Sequence, residues 1–190
     1  AFHIRTVPAL DEIISGNARL DEFREIQIQD LLGREAVPPH DDLLERCIRG
    51  KTVLVTGAAG SIGTELCLQI IDLGAERLVL LDHSEYGLYR VEAELRHHIK
   101  QYRRKVALVP LLGSVTDAVR MENVHSTYAI DTVYHAAAYK HVPLVEHNPL
   151  EGLKVNAFGT YIAADCARRH GVKDFVLIST DKAVRPTNVM

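Results

Sequence analysis

The sequence lacks any apolar run close to the roughly 20 residues that a helix needs to span a membrane. It also lacks a charged N-terminal stretch followed by an apolar one, which a secretory signal would require. These two absences predict a soluble chain that makes no membrane contact of its own.

Cysteine is scarce, with three residues that stand far apart: Cys47, Cys67 and Cys166. None of them belongs to a C-x-x-C pair, so the sequence predicts neither a disulfide framework nor a metal site. A reducing, cytoplasmic compartment fits this cysteine usage best.

Positive charge is not in excess, because 22 Lys and Arg residues face 25 Asp and Glu residues. The positive clusters are short, as in Arg103 to Lys105, so we exclude nucleic acid as a main partner. The length of 190 residues, with 47% hydrophobic residues, is typical of one globular domain with an appendage.

Residues 1–50 differ in pattern from the rest of the chain. The stretch TVPALDEIISG predicts a short helix, FREIQIQDLL alternates apolar and polar residues, and DDLLERCIRG predicts an amphipathic helix that ends at Gly50. We interpret residues 1–50 as a linker arm, although an extension packed on the main domain explains them equally well. The start at Ala1 rather than Met favours a chain cut from a longer protein.

Residues 51–190 alternate continuous apolar strands with helical patterns, which predicts a parallel sheet covered on both faces. Five strands are expected in KTVLVTG, ERLVLLD, KVALVPLLG, DTVYHAAA and DFVLIS, and the longest helix over residues 149–171. The predicted fold class is therefore α/β, a Rossmann-like doubly wound sheet with the strand order 3-2-1-4-5.

Three glycines separate the first strand from the first helix in VTGAAGSIGTEL. We expect Gly57 to permit a tight turn, Gly60 to let the backbone approach a diphosphate, and Gly63 to let the helix pack closely. The helix then begins at Ser61 and Ile62, where backbone amides point toward a bound anion. The spacing is one residue longer than the commonest dinucleotide fingerprint, so the position between strand and helix carries the prediction.

An acidic residue, Asp82, ends the second strand nineteen residues after Gly63 (82 − 63 = 19). We expect it to accept hydrogen bonds from an adenosine ribose and to repel a 2′-phosphate, which favours NAD over NADP. A solvated strand-end aspartate or a helix cap is the alternative. Beyond the third strand, Ser114 is expected against the adenine, with Asp117 either a partner of the adenine amino group or a helix cap.

The predicted strand order opens a crevice between the loops that follow the first and fourth strands. The second of these loops is HAAAYKHVP. Its small residues Ala136, Ala137 and Ala138 would let a planar ring lie close to the backbone. Lys140 and His141 would point polar groups into the same crevice, unless they form a solvated pair.

The fifth strand, Phe175 to Ile178, is expected to be buried and runs straight into Thr180, Asp181 and Lys182 at the same edge of the sheet. A helix cap followed by a solvated lysine is the alternative explanation of these residues. Asn156 interrupts the longest helix, and we expect its side chain to hold a backbone group or a water near the crevice. An exposed asparagine is the alternative there.

In this order, TGAAGSIGTEL, LLDHSE, HAAAYKHVP, KVNAFGT and STDKAVRPTNVM resemble the nucleotide-sugar 4,6-dehydratases of the extended short-chain dehydrogenase/reductase superfamily. The resemblance covers Lys51 to Met190 and implies NAD as cofactor, a UDP-sugar substrate, usually UDP-N-acetylglucosamine, and a 4-keto-6-deoxy product for polysaccharide or glycoprotein biosynthesis. Residues 51–190 would then be the NAD-binding domain without its C-terminal substrate-binding part. Residues 1–50 look like the linker that joins two cytoplasmic domains in long, membrane-anchored members.

The resemblance also implies roles for the residues after the fifth strand. Asp181 is expected to be the general acid at the sugar C6 hydroxyl, Lys182 the base at C5, and Thr180 a hydrogen-bond partner of the C4 oxygen. Met190 stands where the wider superfamily places a tyrosine, which leaves the C4 base unassigned. Methionine is normal there in the long-chain dehydratases, which favours that subgroup.

Three other functions compete with this interpretation. A sugar 4-epimerase predicts a tyrosine where Met190 stands, a non-catalytic NAD-binding module gives STDK no role, and a structural linker domain leaves all the site loops unexplained. Because the superfamily lysine and most substrate contacts would follow Met190, we expect the 190-residue chain to bind NAD and turn over little substrate. A homo-oligomer is a further expectation, since the superfamily commonly pairs helices into dimers.

Overall fold

The computed structural model describes residues 5–6, 24–25 and 40–180. The chain divides into two compact units, Ala1–Pro39 and His40–Met190. In the first unit, the short strands β1 (Arg5–Thr6) and β2 (Arg24–Glu25) pair antiparallel. Except for Thr6, which belongs to β1, the helix predicted over TVPALDEIISG lies outside the described residues, as does most of the alternating stretch after it.

The second unit contains a parallel sheet and the helices that connect its strands. In chain order its elements are α1 (Asp41–Ile48), β3 (Thr52–Thr56), α2 (Ser61–Asp72), β4 (Arg77–Asp82), α3 (Glu85–Gln101), β5 (Ala107–Leu112), α4 (Ala118–Tyr128), β6 (Thr132–His135), α5 (Val142–His147), α6 (Pro149–Gly152), a π-helix (Leu153–Gly159), α7 (Thr160–Arg169) and β7 (Asp174–Leu177).

The sheet has five strands in the order β5-β4-β3-β6-β7, all parallel. Counted from β3, this is the predicted order 3-2-1-4-5, so the predicted α/β fold class is confirmed. In the register of the sheet, Thr56 lies opposite Leu81 on one side and His135 on the other. The carboxyl ends of the three central strands are therefore level, and the loops that follow them meet at one edge.

The central strand β3 is buried on both faces, as its continuous apolar run predicts. Because successive side chains of a strand point to opposite faces, Val53 and Val55 pack into the cluster beneath helices α2 and α3, while Leu54 packs toward α4 and α7. Helix α2 turns Cys67, Ile70 and other buried residues toward the sheet at helical spacing. This double layer holds the strand ends in place.

The longest predicted helix is found over Pro149–Arg169, but its middle is the π-helix Leu153–Gly159. Apolar periodicity does not distinguish a π-turn from an α-turn, so the π-helix could not be predicted from the sequence pattern. Wider turns of this kind occur often at functional sites.

Strand β7 differs from the buried strand that was predicted. Val176 and Leu177 are 36% and 50% exposed. The reason is topological, because β7 is the edge strand of the sheet within the described part of the chain.

Helix α1 belongs to the second unit. Ile48 is buried in its core, and the backbone oxygen of Cys47 accepts a hydrogen bond from Thr132 Oγ1 at 2.7 Å. The predicted division between residues 50 and 51 stays a prediction. Among residues 40–180, no helix combines the length and the apolar character needed to cross a membrane.

Candidate functional site

A cavity of about 530 Å³ opens where the strand ends meet. It is lined by the loops that follow β3, β4, β5 and β6 and by the helical segment around residue 154. Its lining residues are Gly57, Ala59, Gly60, Leu81, Asp82, His83, Ser84, Gly87, Gly113, Ser114, Val115, Thr116, Ala136, Ala137, Ala138, Tyr139, Glu151, Lys154 and Val155.

The glycine loop after β3 touches the loop after β6. Gly57 has a φ of 67°, and a Cβ placed on it would lie 2.7 Å from the backbone carbon and oxygen of Ala136. Only glycine accepts both this conformation and this contact. A Cβ on Gly63 would collide with the backbone oxygen of Gly57, so helix α2 rests directly on the loop.

The carboxylate of Asp82 fastens the glycine loop to the end of β4. Its Oδ2 accepts a hydrogen bond from Ala59 N at 2.9 Å, and its Oδ1 accepts one from Ser84 N at 2.8 Å. Asp82 is buried, and the cap of helix α3 is Ser84 rather than Asp82. Asp82 is therefore neither a solvated strand-end aspartate nor a helix cap, the two alternatives that the sequence left open. Each carboxylate oxygen retains a second lone pair for a ribose hydroxyl.

The loop after β5 supplies the far end of the cavity. Ser114 Oγ lies 2.8 Å from Thr116 Oγ1 and accepts a hydrogen bond from Thr116 N at 3.2 Å. Asp117 caps helix α4, because its Oδ1 accepts from Arg120 N at 2.9 Å. It does not line the cavity, so the cap is the interpretation of Asp117 that the structure favours.

The loop after β6 is held from two sides. The ammonium of Lys140 donates to Ser61 Oγ at 3.2 Å, across the crevice at the start of helix α2. On the other side, half-buried Asn156 accepts from Tyr139 N at 2.8 Å and donates to Tyr139 O at 3.0 Å. Asn156 therefore holds a backbone group at the crevice, which was one of the two expectations for it.

A second, smaller cavity of about 300 Å³ adjoins the first and shares Tyr139 and Glu151 with it. Lys140 and His141 line this second cavity together with apolar atoms of helix α5. The polar pair expected at the crevice thus faces a separate space beside the main cavity.

A chain of hydrogen bonds through His135 connects β3, β6 and the start of α7. The ring of His135 lies 2.7 Å from Thr56 Oγ1 at Nδ1 and 3.0 Å from Thr160 Oγ1 at Nε2. Thr160 Oγ1 donates to the backbone oxygen of Asn156 at 2.7 Å, so it must accept from His135 Nε2, and Thr56 must donate to Nδ1. Burial lowers the pKa of His135 to about 4, which keeps the ring neutral as this chain requires.

The predicted cofactor residues separate into two groups. Those that line the main cavity are Gly57, Gly60, Asp82, Ser114, Ala136, Ala137 and Ala138. Those that lie beside or behind its lining are Ser61, Ile62, Gly63, Lys140 and Asn156.

Sequence reasoning missed three residues that shape the site. A Cβ on Gly87 would lie 2.8 Å from Ala59 Cβ, so helix α3 also approaches the glycine loop, and a glycine in the first helical turn was the available signal. Lys154 brings a cation to the cavity, and His135 joins the chain of hydrogen bonds between β3, β6 and α7. The sequence around these two residues carried no signal.

The residues predicted to act on the substrate follow β7. Ile178 N donates to His135 O at 3.0 Å, which extends the pairing of β7 with β6 and leaves exposed Thr180 two residues further on. Asp181, Lys182 and Met190 lie outside the described residues. Their roles stay predictions.

The residues present fit a dinucleotide. Helix α2 begins with Gly60 as its N-cap, which has no side chain to occupy the free amides of the first turn. Such amides bind phosphate oxygens, and Asp82 lies at the neighbouring strand end, at the position of a ribose acceptor.

The chain is similar to known polysaccharide biosynthesis proteins and to nucleotide-sugar enzymes. A family model described as polysaccharide biosynthesis protein matches residues 53–190. The capsular polysaccharide biosynthesis protein CapD of Staphylococcus aureus is 40% identical over 97% of this chain, and the probable polysaccharide biosynthesis protein EpsC of Bacillus subtilis is 41% identical over 98%. The chain spans only 30% and 31% of the length of these two relatives.

A UDP-N-acetylglucosamine 4,6-dehydratase (inverting) of Campylobacter jejuni is 30% identical over 74% of this chain and 39% of its own length. Among solved structures, Pen from Bacillus thuringiensis has a TM-score of 0.66, with 29% identity over 75% of this chain and 43% of its own. The UDP-glucose-4-epimerase of Stenotrophomonas maltophila, with bound NAD and formylated UDP-arabinopyranose, has a TM-score of 0.59, with 26% identity over 70% of this chain and 38% of its own.

Proposed function

The chain belongs to the polysaccharide biosynthesis protein family, and from this premise we propose that it forms the NAD-binding part of a nucleotide-sugar 4,6-dehydratase. The proposal rests on the hydrogen bond that Asp82 Oδ2 accepts from Ala59 N, which connects the end of β4 to the glycine loop. A buried carboxylate that holds the loop by Ala59 N also stands at the ribose position of a dinucleotide. The dehydratase from Campylobacter jejuni and the NAD-bound epimerase structure support a member of this enzyme group.

The buried charge of Asp82 favours NAD over NADP. A 2′-phosphate would bring a second negative group against a carboxylate that accepts hydrogen bonds from two backbone amides and has the His83 ring nitrogen Nδ1 3.6 Å from its Oδ1. When bound, NAD would accept a hydride from C4 of the sugar and later return it to C6.

We assign the second cavity to the nucleotide sugar. Lys140 lines this cavity, where its cation would meet the diphosphate of a UDP-sugar. His141 offers a ring nitrogen beside it, and the apolar atoms of α5 would cover the flat face of a base or sugar. UDP-N-acetylglucosamine is the substrate we favour, after the relative from Campylobacter jejuni.

The proton steps belong to the segment after β7. In this proposal Lys182 removes the C5 proton, which the C4 ketone has made acidic, and Asp181 protonates the C6 hydroxyl as it leaves as water. Thr180 donates to the C4 oxygen. Lys182 acts as a base near neutral pH only if its pKa is lowered, and desolvation by the closed substrate site would do so.

The runner-up is a nucleotide-sugar 4-epimerase, because an epimerase is among the structures most similar to this chain. The resemblance places that enzyme's catalytic tyrosine where this chain has Met190. Methionine cannot remove the C4 hydroxyl proton, a step that both reactions need, but the resemblance makes methionine normal at this position in the long-chain dehydratases. We therefore prefer the dehydratase.

The setting of the domain is also part of the proposal. We propose residues 1–50 as a linker arm and residues 51–190 as the cofactor-binding domain of a larger enzyme whose remaining part supplies substrate contacts. A relative named as an uncharacterized membrane protein, from Methanocaldococcus jannaschii, is 39% identical over 75% of this chain and favours a membrane-anchored parent with this domain in the cytoplasm. Pairing of the parent into a homo-oligomer is proposed by superfamily analogy alone.

The test uses the full-length protein with NAD and UDP-N-acetylglucosamine, followed by mass spectrometry. A product lighter by one water supports the dehydratase, whereas a product of unchanged mass and inverted C4 supports the epimerase. In deuterated water, Lys182→Ala should lose exchange at C5, while Lys173→Ala, an exposed lysine before β7 that pairs with Asp131, should keep it. Full exchange in Lys182→Ala would remove this residue from the mechanism.

A further inference from the structure

A cluster of polar side chains lies between helix α4 and the end of helix α7. Glu122, Cys166 and His170 bring a carboxylate oxygen, a thiol sulfur and an imidazole nitrogen within 4.8 Å of one another. None of the three lines the cavities described above. Within the described part of the chain, this is the one group of histidine, cysteine and acidic side chains that comes together so closely.

The spacing of the three donors is close to that of a metal site. Glu122 Oε1 lies 2.6 Å from His170 Nε2, Cys166 Sγ lies 3.7 Å from the other carboxylate oxygen, Oε2, and one donor atom of each residue lies within 4.8 Å of the other two. Two donors around a tetrahedral zinc ion lie about 3.3–3.6 Å apart, given zinc–nitrogen and zinc–sulfur distances of about 2.0 and 2.3 Å. A shift of less than about 1 Å between Glu122 and His170 would make room for the ion.

We propose that Glu122, Cys166 and His170 bind a zinc ion, with water as the fourth ligand. One thiolate, one imidazole and one carboxylate are ligands that zinc accepts, and they exclude the purely oxygen-ligated magnesium and calcium. The Cys166 thiol releases its proton to solvent as the zinc–sulfur bond forms. The ion would join α4 to the end of α7, two segments that are 44 residues apart at Glu122 and Cys166.

Neighbouring side chains form hydrogen bonds with the proposed ligands and would orient them toward the ion. Arg169 Nη1 donates to Glu122 Oε2 at 2.7 Å, which leaves Oε1 for the metal once the ion replaces the hydrogen bond between Oε1 and His170 Nε2. Arg169 also donates from Nε to Asp165 Oδ2 at 3.0 Å, so its charge stays paired in either state. Hydrogen bonds of this kind orient the ligands of a metal and strengthen its binding.

His125 lies beside the proposed ligands on the buried side. Its Nδ1 lies 2.9 Å from the backbone oxygen of Met121 and 3.5 Å from Cys166 Sγ. Since a carbonyl oxygen only accepts, Nδ1 carries the proton and presents it toward the sulfur as well. An N–H group beside the sulfur stabilises a thiolate.

Cys166 is poorly suited to the other roles of a cysteine. Its sulfur lies 3.7 Å from Glu122 Oε2 and 3.5 Å from His125 Nδ1, so it is enclosed by side chains. The residue is fully buried, which also keeps it from disulfide exchange. The alternative to zinc is a hydrogen-bonded cluster that binds no ion.

The test uses the full-length protein after treatment with a chelator, titrated with Co²⁺ as an optical probe and then with Zn²⁺ in competition. We expect one equivalent of Co²⁺ to bind with a thiolate-to-cobalt charge-transfer band, and Zn²⁺ to displace it. Cys166→Ser should abolish the band, and His170→Gln should weaken binding at least about tenfold. His170 follows the last residue of α7 and its side chain is 25% exposed, so His170→Gln tests the site with less change in packing than the replacement of buried Cys166.

Matched controls separate the site from general effects. Cys67→Ser removes another buried cysteine, and His98→Gln removes another histidine that pairs with a carboxylate, that of Asp72; both should bind Co²⁺ as the wild type does. Absence of the band in the wild type, or equal binding by His170→Gln, would establish a hydrogen-bonded cluster only and overturn the proposal. Neither readout depends on enzymatic activity, so the proposed dehydratase is tested separately.

Discussion

Asn156 holds Tyr139 by both of its backbone groups, and this pair ties the π-helix to the loop that follows β6. The two residues are 17 positions apart, and helices α5 and α6 lie between them in the chain. The pairing therefore fixes both ends of this segment relative to each other. Because Tyr139 lies on the boundary between the two cavities, the position of the loop affects both.

We expect Asn156→Ala to weaken NAD binding by about tenfold. The change removes two hydrogen bonds of about 1 kcal/mol each and frees the loop that borders the cavity. Fluorescence titration with NADH would measure the effect. Asn123→Ala, at an exposed position on helix α4, is the control and should bind as the wild type does. Equal affinity in the two variants would mean that the loop is held without Asn156.

Gly57→Ala should cost more stability than Gly74→Ala. Both glycines have a positive φ, of 67° and 82°, so alanine strains the backbone at each by about 1–2 kcal/mol. At Gly57 the added methyl would also meet the backbone of Ala136, whereas nothing lies within 4 Å of the same group at Gly74. Denaturant unfolding measures the difference. Similar losses of stability in both variants would mean that the glycine loop can move away from Ala136 at little cost.

Asp82→Asn should lower the preference for NAD over NADP by at least about tenfold, which is about 1.4 kcal/mol. The neutral amide no longer repels the 2′-phosphate, and it can accept from only one of the two backbone amides that Asp82 holds. Parallel titrations with NADH and NADPH give the ratio. Asp117→Asn, which alters a helix cap outside the cavity, should leave the ratio unchanged. An unaltered ratio in Asp82→Asn would refute the assignment of the ribose acceptor.

His135 should make the fold sensitive to acid. Its folded pKa of about 4 is below the ordinary value of 6.5, so the stability it provides is fully present above pH 6.5 and is lost as the pH falls toward 4. The loss approaches about 3 kcal/mol (6.5 − 4 = 2.5 pKa units). His135→Gln should be less stable than the wild type at pH 7, with the gap closing on acidification. A gap that stays constant from pH 7 to pH 4 would contradict the neutral ring.

Much of this architecture was predictable from local patterns. Continuous apolar strands such as Thr52–Thr56 predict a parallel sheet that is covered by helices on both faces. The strand order follows from the usual connections of such sheets. Gly57 and Asp82 could be assigned to one site because parallel strands end at one edge. The exposed β7 could not be foreseen, because its sequence is as apolar as that of an inner strand.

The contacts that position the site were less predictable, because they join residues far apart in sequence. Asp82 and Ala59 are 23 residues apart, and His135 and Thr56 are 79 apart. A sequence pattern can mark a histidine or an asparagine as a candidate site residue. Its hydrogen-bond partner can be identified only from the folded structure. The proposed zinc ligands were missed for the same reason, since Glu122 lies on α4, whereas Cys166 lies on α7 and His170 follows the end of α7.

The most direct test of the proposed function follows one hydrogen atom. UDP-N-acetylglucosamine carrying deuterium at C4 would be incubated with the full-length protein and NAD, and the product analysed by mass spectrometry and NMR. We predict a product lighter by one water that retains the deuterium at C6, because the hydride taken from C4 returns to the same sugar. A sugar of unchanged mass with inverted C4, or a dehydrated product without deuterium at C6, would contradict the account.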